Sequence, residues 1–200
     1  MRVIKVTALL SAVLAGLVTA YPRGLSERGD RIFVGYRYSI AKEYEDAGNR
    51  IVFQTATDNL EQLGEGAYVM NIRDGYKPFA SMRDDQRLCL VYTDKDDLKA
   101  FPKIWIDMFD EYGSVGGVLW YMPAKIETYI RGFGQDPEKA LLLARYPQAK
   151  AEQVVIPPKV ANGKDIIFSV DCKKKGDDVS NDKVDYTADE WKNNVYPKPK

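Results

Sequence analysis

The apolar residues of this chain fall into short runs separated by turn residues. Residues 31–36 (RIFVGY), 51–53 (IVF), 87–92 (RLCLVY) and 154–156 (VVI) are rich in β-branched and aromatic residues, so we expect buried strands there. Residues 63–69 (LGEGAYV) lead through two glycines into a further strand. Many short strands and few helices predict an α+β domain dominated by antiparallel sheet.

Two segments carry helix signals. Ser39 is a suitable N-cap for a short helix over residues 39–47, which a glycine follows. Asp136 and Pro137 have the residue types of an N-cap and first helical position, so we expect a helix over residues 136–145 that ends before the next proline.

Two further regions differ in composition. Residues 94–112 are mixed and aromatic-rich, and we expect Trp105 and Phe109 to lie in the core. Residues 173–200 contain few aliphatic side chains and predict a polar, mobile C-terminal tail, in which Trp191 is the candidate anchor for a docked segment.

The N-terminus has the features of a secretory signal. A basic start precedes an apolar run at residues 6–18, and small residues lead up to Ala20. This run is shorter than the ~20 residues that span a bilayer. We therefore expect residues 1–20 to be a signal peptide and residues 21–172 to form a single domain; a buried N-terminal helix is the alternative.

Charge and cysteine content restrict the partners and the compartment. The chain has 29 basic and 29 acidic residues, and removal of residues 1–20 would leave 27 and 29. This balance predicts neither nucleic-acid binding nor membrane binding after the signal is cut. Secretion would expose Cys89 and Cys172 to an oxidising compartment, where a disulfide between them is plausible.

The chain contains no histidine. This excludes hydrolases that use a histidine base and metal sites with histidine ligands. Chemistry in this chain would rely on carboxylates, arginine, lysine, tyrosine or backbone groups. The carboxylates at positions 94, 96 and 97 lack the glycine and the final glutamate of an EF-hand loop, so we predict no metal.

Five segments, in order, resemble the catalytic domain of the mono-ADP-ribosyltransferase toxins related to exotoxin A and diphtheria toxin. Residues 33–39 (FVGYRYS) are similar to the first strand motif, and residues 66–69 (GAYV) to the Gly-Phe-Tyr motif. Residues 79–80 (FA), 88–92 (LCLVY) and 153–157 (QVVIP) resemble the second pocket aromatic, the next strand and the closing strand. The resemblance covers residues 32–158 and implies an ADP-ribosyltransferase-like fold, with NAD as substrate and without a metal.

The resemblance also implies roles for individual residues. Tyr68 and Phe79 would clamp the flat nicotinamide cation between two rings, and Gly66 would let the backbone approach the ligand. Tyr36 and Arg37 lie where these toxins carry a Tyr-His pair, so Arg37 would contact ribose or pyrophosphate oxygens. Without the resemblance, core packing explains the two rings and a surface ion pair explains Arg37.

The candidate catalytic residue is Glu127. Residues 125–130 (KIETYI) resemble the sequence around the toxin glutamate, whose carboxylate stabilises the oxocarbenium-like ribose. In the exotoxin this glutamate lies nearer to the closing strand than Glu127 lies to Val154, and counting back from that strand reaches Leu141 and Leu142, which are not acidic. An inserted segment at 136–145 would account for the difference; otherwise Glu127 is an exposed charge.

Three functions are consistent with the sequence. The first is a secreted toxin or effector that transfers ADP-ribose from NAD to a protein of a target cell, or hydrolyses NAD. The second is an inactive protein of the same fold that acts as an effector by protein binding alone. The third is an unrelated small secreted structural protein.

Overall fold

The computed structural model describes residues 30–53, 61–76, 79–113, 115–146 and 150–197. The expected signal peptide at residues 1–20 lies outside the described residues. Among the described residues, no helix has the length and apolar character needed to cross a membrane.

The described residues form an α+β fold whose centre is one mixed, mostly antiparallel sheet. Its eight strands are ordered β7-β3-β1-β2-β6-β5-β4-β8. The strands are β1 (Arg31–Ile40), β2 (Ala67–Met70), β3 (Gln86–Asp94), β4 (Lys103–Trp105), β5 (Leu141–Tyr146), β6 (Ala151–Ile156), β7 (Ser169–Lys173) and β8 (Val195–Tyr196). β4 pairs in parallel with β5 and β8, and the other ladders are antiparallel.

Four of the five strand expectations are confirmed: β1, β3 and β6 contain the apolar segments that predicted them, and β2 begins at Ala67, after the two glycines of the 63–69 segment. The segment at residues 51–53 is not a strand. The Ile51 side chain is buried and its backbone N–H donates to the Phe168 oxygen. The preceding Arg50 forms an isolated antiparallel bridge with Ser169 of β7, so the segment borders the sheet without forming a strand.

The expected helix over residues 136–145 is wrong, because the structure has strand β5 there. Asp136 caps only a turn, in which its carboxylate accepts the Glu138 N–H at 3.0 Å. Leu141 and Leu143 face one core and Leu142 faces another. A strand with both faces covered has a continuous apolar run, and such a run does not distinguish a buried strand from a helix.

The helices are short: α1 (Ala41–Glu45), α2 (Lys95–Ala100), α3 (Pro123–Gly132), α4 (Pro158–Ala161) and α5 (Asp189–Lys192). Helix α1 falls within the expected 39–47 segment but is shorter, because Ser39 is still in β1 and bonds to the Glu43 carboxylate instead of capping a backbone N–H. In α3, Ile126, Tyr129 and Ile130 lie on one buried face, as the i, i+3, i+4 spacing requires.

The sheet separates the apolar core into clusters on its two faces. The main cluster includes Val34, Val69 and Val154 from the central strands. A second cluster on the opposite face lies between β5, β6 and α3 and includes Leu142, Val155 and Ile130. Trp105 is partly buried against the main cluster, whereas Phe109 is 55% exposed, so the expectation that Phe109 lies in the core is wrong.

The described part of the C-terminal segment, residues 173–197, packs onto the domain, in contrast to the mobile tail expected from its composition. Trp191, the candidate anchor, is buried, and its ring centroid lies 4.5 Å from that of Tyr186. The Tyr186 hydroxyl donates to the backbone oxygen of Val34 in β1 at 3.1 Å. Two aromatic side chains, together with the few valines of the segment (Val179, Val184 and Val195), therefore supply its buried apolar contacts.

The plausible disulfide between Cys89 and Cys172 is present. The two residues are direct partners in the antiparallel ladder between β3 and β7. The bond therefore fastens strand β7, at the end of the sheet order, to the neighbouring β3. Such a crosslink is typical of proteins in oxidising compartments.

Candidate functional site

The candidate site is a groove of about 550 Å³ on the side of the sheet that α3 covers. Its size lies within the ~300–1,000 Å³ of ordinary ligand sites. Five pieces of chain meet there: the loop before β2, helix α3, the turn before β5, strand β5 itself and the start of α4. The lining residues are Glu61, Leu63, Gly64, Glu65, Pro123, Ile126, Glu127, Ile130, Pro137, Glu138, Leu142, Pro157, Pro158 and Lys159.

Glu127 lies on α3 and lines this groove. Its side chain is 59% exposed, and its nearest ion-pair contact is Arg131 at 4.0 Å, one helical turn away. An exposed pair of this length contributes little to stability. The carboxylate is therefore accessible to a ligand, although its backbone is helical and not the strand that the toxin motif implies.

The loop at residues 61–65 forms part of the groove wall, and Tyr68 holds this loop in place. The Tyr68 hydroxyl accepts the N–H of Leu63 and donates to the oxygen of Gly64, both at 2.9 Å. Burial of this ring raises the pKa of Tyr68 well above its usual value. Tyr68 itself is not among the described lining residues, so it supports the wall from behind.

The absence of a side chain at Gly66 allows the backbone to lie close to the neighbouring strand β6. A Cβ at Gly66 would stand 2.8 Å from the backbone oxygen of Ile156 and 2.5 Å from a Val155 methyl group. Any larger residue would push the loop away from β6. The glycine therefore sets the position of the groove wall.

Tyr36 lies away from the groove, in a separate small cluster with Met82, Leu88 and Val179. It is 1% exposed, and its hydroxyl donates towards the backbone oxygens of Ser180 and Asp182 at 3.0 and 3.1 Å. Burial raises the pKa of this hydroxyl. The side chain predicted to bind NAD is thus fully engaged with the protein.

Arg37 projects from β1 towards the main core, on the sheet face opposite to the Tyr68 ring. Its guanidinium donates to the Tyr44 hydroxyl and, at 3.0 Å, to the backbone oxygen of Tyr68. The β1–β2 ladder consists of the pair Tyr36–Met70, so Arg37 bridges the strands where this ladder has ended. Arg37 therefore contacts β2, the strand that follows the groove loop, but it does not line the groove.

Phe79 begins a short 3-10 helix (Phe79–Ser81), and the position of its side chain lies outside the described part of the structure. The predicted ring clamp of Tyr68 and Phe79 is therefore not tested. Within the described ranges, no group of histidine, cysteine, aspartate and glutamate side chains has the arrangement of a metal site.

The groove is acidic. Four glutamates line it, at positions 61, 65, 127 and 138, against the single lysine Lys159. That lysine is bound to Glu138 at 2.8 Å. Because the chain as a whole has equal numbers of acidic and basic residues, this charge is a local property of the groove.

The sequence does not identify Glu65 and Glu138 as groove residues. Glu65 stands between Gly64 and Gly66, and the glycine spacing predicts a close backbone approach but no role for the carboxylate between them. Glu138 lay in a segment predicted as helix, whereas the turn before β5 directs it to the groove. Counting back from the closing strand places the toxin glutamate near Leu141 and Leu142. Leu142 does line the groove, but its side chain is not acidic.

The family described as "Family of unknown function (DUF5910)" matches residues 61–195. The chain belongs to the DUF5910 family. The DUF5910 match begins at Glu61, the first residue of the groove wall, and covers every lining residue. It does not include β1, which carries Tyr36 and Arg37. A search of curated proteins found no match.

Proposed function

We propose that the protein is a divergent mono-ADP-ribosyltransferase of the toxin type, with the groove as its catalytic cleft. The observation that carries the proposal is the position of Glu127: its accessible carboxylate lines the same groove as Gly64 and Glu65, in the loop that leads into the motif-like segment 66–69. The nicotinamide–ribose half of NAD would lie in this groove. The proposal includes an ADP-ribosyltransferase-like fold and secretion, followed by modification of a protein in a target cell.

The sheet order supports this proposal. The segments with toxin-like sequence in β3, β1, β2 and β6 occupy four adjacent strands. In sequence these segments extend from residue 33 to residue 157, so their adjacency is a property of the fold. Of these four strands, within the part of the chain that the structure describes, only the loop that leads into β2 and the residues that follow β6 contribute to the groove, while β1 and β3 form the adjoining part of the sheet.

The chemistry follows from the charges. The C1′–N bond of NAD breaks, and its electron pair leaves with nicotinamide, whose ring nitrogen becomes neutral. The ribose then carries oxocarbenium character, which the Glu127 carboxylate stabilises. A nucleophile of the target protein, or water, forms the new bond to C1′ and loses its proton to solvent. The acidic walls favour the cationic nicotinamide riboside half, and the pyrophosphate would lie beyond the rim.

A second candidate is a protein of this fold that acts by protein binding without catalysis. The observation that favours it is the engagement of the basic groups: Arg37, the expected contact for ribose or pyrophosphate oxygens, is bonded to Tyr44 and Tyr68, and the groove lysine Lys159 is paired with Glu138. A pyrophosphate would have to displace one of these contacts.

Calorimetric titration of the purified protein with NAD separates the two candidates. The catalytic proposal expects saturable binding of NAD that Glu127→Lys changes and Glu45→Lys, on the surface of α1, does not. The absence of heat with NAD, together with binding to a protein partner, would favour the second candidate.

A further inference from the structure

We propose that the groove docks a lysine- or arginine-bearing segment of the partner protein. The inference rests on the proposed function only in taking this groove as the working site, and it applies to the enzyme and to the binding protein alike. Neither candidate function specifies which residue types the partner segment carries, and the groove points to lysine or arginine.

The charge of the groove points to a cationic partner. Glu65, on the loop before β2, and Glu127, on α3, line the same groove. Both are exposed. Exposed carboxylates that line one groove attract a cationic side chain, and such charge complementarity selects partners and speeds their association.

The groove also has apolar lining. Leu63, Ile126, Ile130 and Leu142 are at most 5% exposed and belong to the second core cluster, so they fix the position of the groove. The accessible apolar surface comes from Pro123, which is exposed, and from the half-buried Pro137 and Pro158. A small inorganic cation would make no favourable contact with this apolar surface.

Lysine and arginine match both parts of the groove at once. Their aliphatic stems pack on apolar surface while the charged heads stay with carboxylates and water. Aliphatic neighbours in the same segment would occupy the remaining apolar surface. An acidic partner segment would be repelled by the same carboxylates.

The test uses fluorescence anisotropy with the full-length mature protein and a labelled peptide of about eight residues in which lysine and leucine alternate. Two comparison peptides replace every lysine by glutamine or every leucine by serine. The variant is Glu65→Gln/Glu127→Gln. Its matched control, Glu45→Gln/Asp178→Asn, removes the same charge from exposed positions outside the groove.

We expect the lysine–leucine peptide to bind, and both comparison peptides to bind at least about fivefold more weakly. The groove variant should lose affinity about fivefold or more, and the control variant less than about twofold. Raising the salt from about 50 mM to about 500 mM should weaken binding.

Equal binding of the peptide to the groove variant and the control variant would overturn the inference, as would equal binding of the glutamine peptide. Release of nicotinamide from NAD is measured separately on the same proteins. Peptide binding without nicotinamide release would leave this inference standing and remove the catalytic proposal; release without peptide binding would do the reverse.

Discussion

The Arg37 guanidinium donates a hydrogen bond of 3.0 Å to the backbone oxygen of Tyr68, and thereby joins β1 to β2 where their ladder has ended. The same strand β2 continues backwards into the loop that forms one wall of the groove. Arg37 is therefore a structural link between the two halves of the sheet, on the face opposite to the Tyr68 ring.

The first prediction concerns this link. Arg37→Met should lower the free energy of unfolding by about 1–3 kcal/mol, because the Tyr68 oxygen and the Tyr44 hydroxyl lose a charged partner. Urea denaturation measures the change. Arg83→Met is the control, since its exposed ion pair with Asp85 should contribute less than about 1 kcal/mol. Unchanged stability of Arg37→Met with weakened NAD binding would instead assign Arg37 to the ligand, as the toxin resemblance implies.

The second prediction concerns Gly35, at the irregular step in the β1–β3 ladder. Its φ is +147°, and a Cβ there would collide with the backbone oxygen of Met70. Gly35→Ala should therefore destabilise the fold by about 3 kcal/mol or more, measured by thermal or urea unfolding. Gly48 also has a positive φ of +70° but has open space around it, so Gly48→Ala should cost only about 1 kcal/mol. Similar losses in both variants would rule out the collision.

The third prediction concerns the disulfide, which closes a loop of 83 residues. Replacing Cys89 and Cys172 together by alanine should lower the free energy of unfolding by about 2–4 kcal/mol. Cys172→Ala alone should lose nearly as much, because either change removes the same crosslink. If the double variant unfolds at the same urea concentration as the wild type under oxidising conditions, the bond does not stabilise the fold.

The fourth prediction is a pH dependence that originates at Lys103. This side chain is fully buried, and its Nζ donates to the oxygens of Leu98 and Phe101 at 2.6 and 2.8 Å. Burial lowers the pKa of Lys103 to about 8, from 10.5 in the unfolded chain. Between these values the unfolded state binds more protons, so stability should rise with pH, by up to about 1 kcal/mol per pH unit.

Urea unfolding at pH values from 7 to about 9.5 measures this slope, and Lys103→Met should reduce it. Above pH 10, ionisation of the partly buried Tyr38 and the buried Tyr186 should lower the stability as the pH rises, which is the opposite of the effect of Lys103. Burial raises the pKa values of Tyr38, to about 12, and of Tyr186. Their contribution to stability is present below pH 10 and is lost as the pH rises further. A slope that is the same in the wild type and in Lys103→Met would contradict the assignment to Lys103.

The sequence was sufficient to predict the elements whose signals are local. β1, β3 and β6 are apolar and β-branched, and an oxidising compartment suggested the bond between Cys89 and Cys172. The β5 segment was misassigned because its two apolar faces depend on neighbours on both sides of the sheet. Phe109 was misplaced because aromatic character does not specify which side of a loop faces solvent.

The groove could be predicted only in part. Glu127 was identified from its local sequence, but Glu65, Glu138 and Lys159 reach the same space from distant segments. Which carboxylates meet depends on the position of α3 against β5, a tertiary contact that no local pattern encodes. For the same reason, the burial of Tyr36 became apparent only from the packing of residues 179–182.

The central claim is that Glu127 acts on NAD in this groove, and nicotinamide release tests it most directly. The mature wild-type protein, Glu127→Gln and the control Glu45→Gln are incubated with NAD labelled in the nicotinamide ring, with and without a cell extract as a source of acceptor proteins. We expect release by the wild type and the control, and a rate at least about 100-fold lower for Glu127→Gln. No release by the wild type under either condition, or equal release by Glu127→Gln, would contradict the claim.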